Sequence, residues 1–376
     1  MTNRNQRLIR GRGTALALIL FLFSGVFAVA PEARSKKAPK NPVSEEERFA
    51  MIQRAQVWNP VTVSEMDVRL GPQGKGAFEP NARVECDYVE GELDGANPKF
   101  DCRLSDGSVV KVKYGTGEVF GEVLSTRLLW ALGFGADHMY PAAVTCRGCT
   151  ADPWKHRQPV AETHLFDPAA IERKASGHAI EVKKLKGWAW PELKMLDHSR
   201  GGAPIEQRDA LTLLAVFIQH SDSKPEQQRL VCLSRDYVDE EGNRTGECAK
   251  PFMLLNDVGQ TFGKANYLNR DVLSSVNFDG WSKTRVWEDE KSCVGHMSMS
   301  RTGTLDRPRI SEAGRAFLAG LLTQMTDRQI HDLFEVARVE LRSRKPGSKE
   351  APASVDEWVA AFKEKRDEIA NRRCGA

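Results

Sequence analysis

Apolar and polar positions alternate in several short stretches up to about residue 146, and after residue 205 apolar positions recur every three or four residues. The first pattern predicts strands and the second helices. Alternating runs at 83–89 and 99–104 lead to an Asp106-Gly107 turn. Ser108 to Tyr114 (SVVKVKY) is the clearest strand, and Gly115 and Gly117 break it. Glu118 to Leu132 reads as a helix ended by Gly133, and Tyr140–Cys146 and 178–184 read as further strands. An earlier helix over 44–57 is signalled by Ser44 with Glu47 three residues on, the pattern of a capping box. Ile205 to Gln219 is predicted as a helix whose last turns (LTLLAVFI) are apolar on most sides, so it must be buried. Candidate strands at 230–233 and 251–255 flank a polar insert. Helices then follow at 311–325, at 327–341 behind a Thr326/Gln329 box, and at 355–370 behind a Ser354/Glu357 box. The expected class is α+β, with a strand-rich part over 44–185 and a mainly helical part over 186–376.

The first 43 residues stand apart from this pattern. Residues 1–13 are polar and basic, and Thr14 to Ala30 carry no charge. Small residues at Ala28 and Ala30 offer a cleavage zone, so residues 1–30 read as a signal peptide or a short signal anchor. Residues 31–43 read as a linker. Either reading of the leader puts the body outside the cytoplasm, secreted or periplasmic, with a membrane engaged only through an uncleaved N-terminal helix. The chain has 54 basic and 51 acidic residues, and Arg4, Arg7, Arg10 and Arg12 precede any acid. The body is therefore close to neutral, which argues against a nucleic-acid partner held by bulk charge. Eight cysteines fit an oxidising compartment. Equal spacing suggests Cys86 with Cys102 and Cys232 with Cys248, and Cys146-Arg-Gly-Cys149 reads as a structural bridge in a loop.

The candidate chemistry lies in three stretches. Val110-Lys-Val-Lys113 sits on the clearest strand, His220-Ser-Asp222-Ser-Lys224-Pro-Glu-Gln227 follows the buried helix, and Asp257-Val-Gly259 follows a strand. Their order and contents resemble the signature set of the eukaryotic-type protein kinases: a strand lysine, an HRDLKPEN loop and a DFG turn. Gln227 stands where that family has Asn, the Gly71/Gly74/Gly76 spacing differs from its glycine-rich loop, and no Ala-Pro-Glu follows Asp257. These departures resemble the atypical branches of the superfamily, which include secretory-pathway, spore-coat and persistence-toxin kinases.

The resemblance implies a bilobal fold with a strand-rich N-lobe and a helical C-lobe. It implies ATP with Mg²⁺ or Mn²⁺, and a phosphoryl transfer to a hydroxyl acceptor. Asp257 would be the main metal ligand, since a hard divalent ion prefers oxygen. Gln227, or its neighbour Gln228, would supply a second contact. Asp222 would orient the acceptor hydroxyl, and Lys224 would neutralise developing charge. Lys113 would hold the non-transferred phosphates and pair with Glu122, chosen over Glu118 one turn earlier. Gly115 and Gly117, or the Gly71–Gly76 stretch, would cradle phosphate with backbone amides. A silent kinase-fold binding module and an AMP transferase are the alternatives on the same residues. Gly187-Trp-Ala-Trp-Pro191 is expected to pack between the two halves.

Overall fold

The computed structural model describes residues 42–183, 185–268, 270–289, 292–345 and 347–375. The leader and most of the linker expected over 1–43 therefore lie outside the described residues. Helix α1 (Glu45–Arg54) opens with the expected box: Ser44 Oγ accepts from the Glu47 amide, and the Glu47 carboxylate accepts from the Ser44 amide. Arg48 ion-pairs with Glu192 and donates to the Gly187 carbonyl, so α1 packs on the later half of the chain and not on the strands that follow it.

Five strands form a closed barrel in the order β1-β2-β3-β5-β4: β1 (Ala82–Val89), β2 (Lys99–Arg103), β3 (Val109–Tyr114), β4 (His138–Arg147) and β5 (Thr163–Arg173). Four of the five pairings are antiparallel, and β1 closes on β4 in parallel. The valines of β3 at 110 and 112 face inward, where Phe100, Val144, Phe166 and Ile171 fill the barrel. The alternation therefore leaves Lys111 and Lys113 on the outer wall. Strand β5 lacks a clean sequence signal because Pro168 interrupts it, and β4 pairs with it around a register shift at Ala142–Val144.

Helix α2 (Glu118–Ala131) crosses from β3 to β4 and packs on β4, β5 and the later helix at 327–336, so it is buried nearly all round. The strand expected over 178–184 shrinks to β6 (His178–Ala179), which joins β7 (Gln228–Cys232) and β8 (Pro251–Leu255) in a small antiparallel sheet. Helix α3 (Ile205–Phe217) lies between β6 and β7 in the chain. Two short helices, α4 (Asp271–Ser274) and α5 (Phe278–Ser282), were not foreseen. Helices α6 (Glu312–Gln324), α7 (Asp327–Val336) and α8 (Val355–Ala370) complete the chain. The α7 helix ends short of the expected 341 because Arg338 turns left-handed at φ 57°.

The helical core gathers large aromatic residues. Trp281 stacks on Trp358 at 5.5 Å between ring centres, and Phe217, Phe262, Phe334 and Phe362 surround them. Disulfides join Cys86–Cys102, Cys146–Cys149, Cys232–Cys248 and Cys293–Cys374. The two equally spaced pairs and the CRGC bridge agree with the sequence reading, and four disulfides point to an oxidising, extracellular or periplasmic setting. Among the described residues no helix is long and apolar enough to cross a membrane.

Candidate active site

Lys113 leaves the outer wall of β3 toward α2. Its ammonium ion-pairs with Glu122, lies 3.7 Å from Glu172 Oε2 on β5, and lies 3.9 Å from Asp257 Oδ1 just beyond β8. Glu122 stands one turn into α2, and Glu118 stands one turn before it on the same side. Ligand atoms of Glu118, Glu122 and Asp257 all lie within 4.8 Å of one another. Burial pushes the Glu122 carboxyl well up, with Lys113 opposing, and its Oε2 has no donor beside it. For Asp257, burial acts upward, but Lys113, a hydrogen bond with Glu122, the charge of Lys99 and the Gly259 amide together hold the carboxyl far below the usual range. Three carboxyl groups thus gather beside one buried lysine, and one of their oxygens, Glu122 Oε2, is buried without a donor. Such an oxygen-rich donor set suits a hard divalent cation.

The turn after Asp257 is fixed by close contact. A Cβ on Gly121 would run into the Gly259 carbonyl, and a Cβ on Gly259 would sit 2.8 Å from the Glu118 side chain. Thus both glycines are required for α2 to touch the Asp-Val-Gly turn. Thr261 tightens the same contact by bonding its hydroxyl to Ser125 at 2.6 Å.

Asp222 sits in the loop after α3. Lys224 Nζ donates to its Oδ2 at 2.8 Å, and the Gln227 amide nitrogen donates to the same oxygen. Its Oδ1 is buried and has no donor. The Gln227 carbonyl accepts from the Asn256 and Asp257 amides at 2.8 and 3.2 Å, so one residue ties the Asp222 loop to the Asp257 turn. His220 lies beneath this loop, fully buried against Trp190 at 6.0 Å between rings, and burial lowers its pKa to about 4. Trp188 and Trp190 are buried as a T-shaped pair under the same loop.

Not every expected residue joins the site. The Gln227 side chain bonds Asp222. Gln228 is buried between Trp190 and the Trp188 carbonyl once its amide is oriented to its neighbours, so it is no substitute. Gly115 lines a different cleft, of about 370 Å³, with Phe120, Phe166 and Arg342, and Gly117 packs against Ser275 and Arg342. Gly71 and Gly76 pack onto Arg127 and Arg173. The glycine beside the site is Gly95, in the β1–β2 loop, whose Cβ would lie 2.8 Å from Lys99 Nζ. In that loop Asn97 donates to Glu118.

Three further residues were missed in the sequence. Lys99 pairs in register with Lys113 across β2 and β3. Glu172 bridges Lys113, Lys111 and Lys174, and Lys174 also bonds Asp137 and Asn256. Burial would raise the Glu172 carboxyl, but the three lysines bring it down to about 2. Only strand register could have found these residues, and β5 was not recognised as a strand.

No family model matches this sequence, and no curated protein matches it. Among solved structures, the chain is similar to a proinflammatory kinase of Helicobacter pylori, CtkA. The identity is 10%, the match covers 78% of this chain and 97% of that one, and the TM-score is 0.38.

Proposed function

We propose that the protein is an exported kinase-like phosphotransferase that moves the γ-phosphate of ATP to a hydroxyl acceptor. The observation that carries this reading is the meeting of Lys113, Glu122 and Asp257 from a barrel strand, a helix and the end of a second sheet, with Asp222 tied to the same turn through Gln227. On this reading the barrel with α2 is the N-lobe and the chain after residue 186 is the C-lobe. The basic and then apolar first 30 residues supply the export signal.

Each residue has a physical task. Asp257, with Glu122 and Glu118 beside it, would hold Mg²⁺ or Mn²⁺. Such an ion screens phosphate charge and makes the bridging oxygen a better leaving group. Lys113 is held rigid by its carboxylate partners and presents a buried positive charge to the non-transferred phosphates. Asp222 offers its free Oδ1 to the acceptor hydroxyl. As the acceptor oxygen bonds to the γ-phosphorus, the bond from that phosphorus to the β–γ bridging oxygen breaks, ADP leaves, and Asp222 takes the hydroxyl proton. Lys224, fixed 2.8 Å from Asp222, offsets negative charge on the transferred group.

The test is calorimetric titration of the oxidised protein with ATP, with and without Mg²⁺ or Mn²⁺, beside Asp257→Ala. Binding that needs the metal and disappears in D257A is expected. Equal binding by both proteins would remove Asp257 from the site.

A further inference from the structure

The wall beyond Lys113 differs from what a nucleobase needs. A base is normally gripped in an apolar slot, with its edge read by a few polar groups. Here the strand register sets Lys111 opposite Asp101 on one side and Glu172 on the other, so the outer face of β2, β3 and β5 is charged. The open space against this wall, about 870 Å³, is also lined by Lys75, Arg173 and Lys174, with Leu93, Val109 and Tyr140 as its apolar part.

The chain leaving β5 is already engaged as well. The Ala175 amide donates to Asp137 Oδ1 at 2.8 Å. Lys174 Nζ bonds Asp137 at 2.8 Å and Asn256 at 2.9 Å, and it lies 2.6 Å from Glu172. Arg229 closes the network on Asp137 at 3.1 Å. A base pressed onto this wall would strip water from charged groups without replacing their bonds, which is costly.

Positive charge is available where a polyphosphate would lie. Lys99 faces the same way as Lys113, and it is half-buried beside Gly95. Among the described residues no carboxylate lies within 4 Å of its ammonium. Lys113 is shared among three carboxylates, whereas Lys99 feels Asp257 and Glu118 only from beyond ion-pair distance and rests 5.7 Å from the centre of the Trp154 ring. Gly95 lets the loop backbone come close to this ammonium, since a Cβ there would lie 2.8 Å from Lys99 Nζ.

We propose that the donor is recognised by its polyphosphate and not by its base, with Lys99 as a second phosphate-holding residue. This rests on the phosphotransferase reading. The site then takes purine nucleoside triphosphates alike, and Lys99 and Lys113 with the divalent ion supply nearly all the affinity.

The experiment titrates the full oxidised protein, in Mg²⁺, with ATP, GTP, inorganic tripolyphosphate and adenosine, and repeats the series with Lys99→Gln. Dissociation constants for the three polyphosphates within about fivefold of one another, and no adenosine binding at millimolar concentration, are expected. K99Q should weaken all three by about tenfold, the order of one charge-assisted contact. Circular dichroism of K99Q checks that the barrel is intact. Should that variant not fold, Lys99→Arg replaces it, and the ligand series on the unmodified protein decides alone. ATP binding tenfold or more tighter than GTP and tripolyphosphate would overturn the inference and leave the phosphotransferase reading standing. Binding of none of the polyphosphates would overturn that reading and the inference with it.

Discussion

Lys113 Nζ lies 3.9 Å from Asp257 Oδ1, although one residue belongs to the barrel and the other follows the separate three-stranded sheet. Glu122 completes the contact from α2, where its side chain is wholly buried. The three groups form one electrostatic unit, and removing one leaves the others uncompensated.

Lys113→Met should destabilise the fold by about 3–5 kcal/mol, the usual result of stranding a buried carboxylate. Adding Glu122→Gln should recover part of that loss, because the stranded charge goes with it. Urea unfolding of the single and double variants measures the difference. Equal midpoints for the two would show that the pair is not electrostatically coupled.

Asp222→Asn keeps the size of the side chain and one oxygen to accept from Lys224 and Gln227, but it cannot take a proton from an acceptor. Nucleotide affinity should stay within about twofold, while turnover falls about 100-fold or more, the range for loss of a general base. Release of ADP, with water or a screened alcohol as acceptor, reports the rate, and calorimetry reports the affinity. A variant that turned over normally would take Asp222 out of the chemistry.

Acid should weaken the fold over two pH intervals. His220 is held near 4 by burial against an ordinary 6.5, so its contribution is complete above 6.5 and is lost as pH falls toward 4. Glu172 is held near 2 by its lysines against an ordinary 4.5, so its contribution is present above 4.5 and disappears toward pH 2. Each window is worth on the order of 3 kcal/mol. Unfolding free energies measured from pH 7.5 to 2.5 should therefore fall in both intervals. His220→Gln should flatten the first interval and Glu172→Gln the second.

Gly121→Ala alters no ligand, yet its methyl group would push the Gly259 carbonyl off α2. Metal-dependent nucleotide binding should weaken about tenfold or more, since small displacements of a site are expensive. Stability should drop by about 1–3 kcal/mol from overpacking. Gly320→Ala, on α6 with open space around it, is the control and should leave both quantities unchanged or slightly stabilise the fold. A G121A protein that bound as tightly as the parent would mean that the contact between helix and turn does not set the site.

Much of the site was legible because its residues lie in short, ordered stretches. Lys113 falls on an alternating strand, Asp222 follows an apolar helix, and Asp257 precedes Gly259. Gln227 stands between the two acids: its side chain reaches Asp222, while its carbonyl holds the Asp257 turn. A glycine pattern does not reveal what packs on it: Gly117, expected in a phosphate cradle, lies against Ser275 and Arg342.

What the sequence determined by itself is local. The Ser44/Glu47, Thr326/Gln329 and Ser354/Glu357 boxes set helix starts because cap and helix are three residues apart. The alternation of 108–114 set a strand because successive side chains must point to opposite faces. Tertiary structure alone decided the parallel closure of β1 on β4, the strand role of 163–173, and the convergence of Lys99, Glu172 and Lys174 on the lysine that the sequence had marked. These depend on register between segments far apart in the chain. A residue's neighbour across a strand is chosen by the burial of whole faces, and no local pattern encodes it.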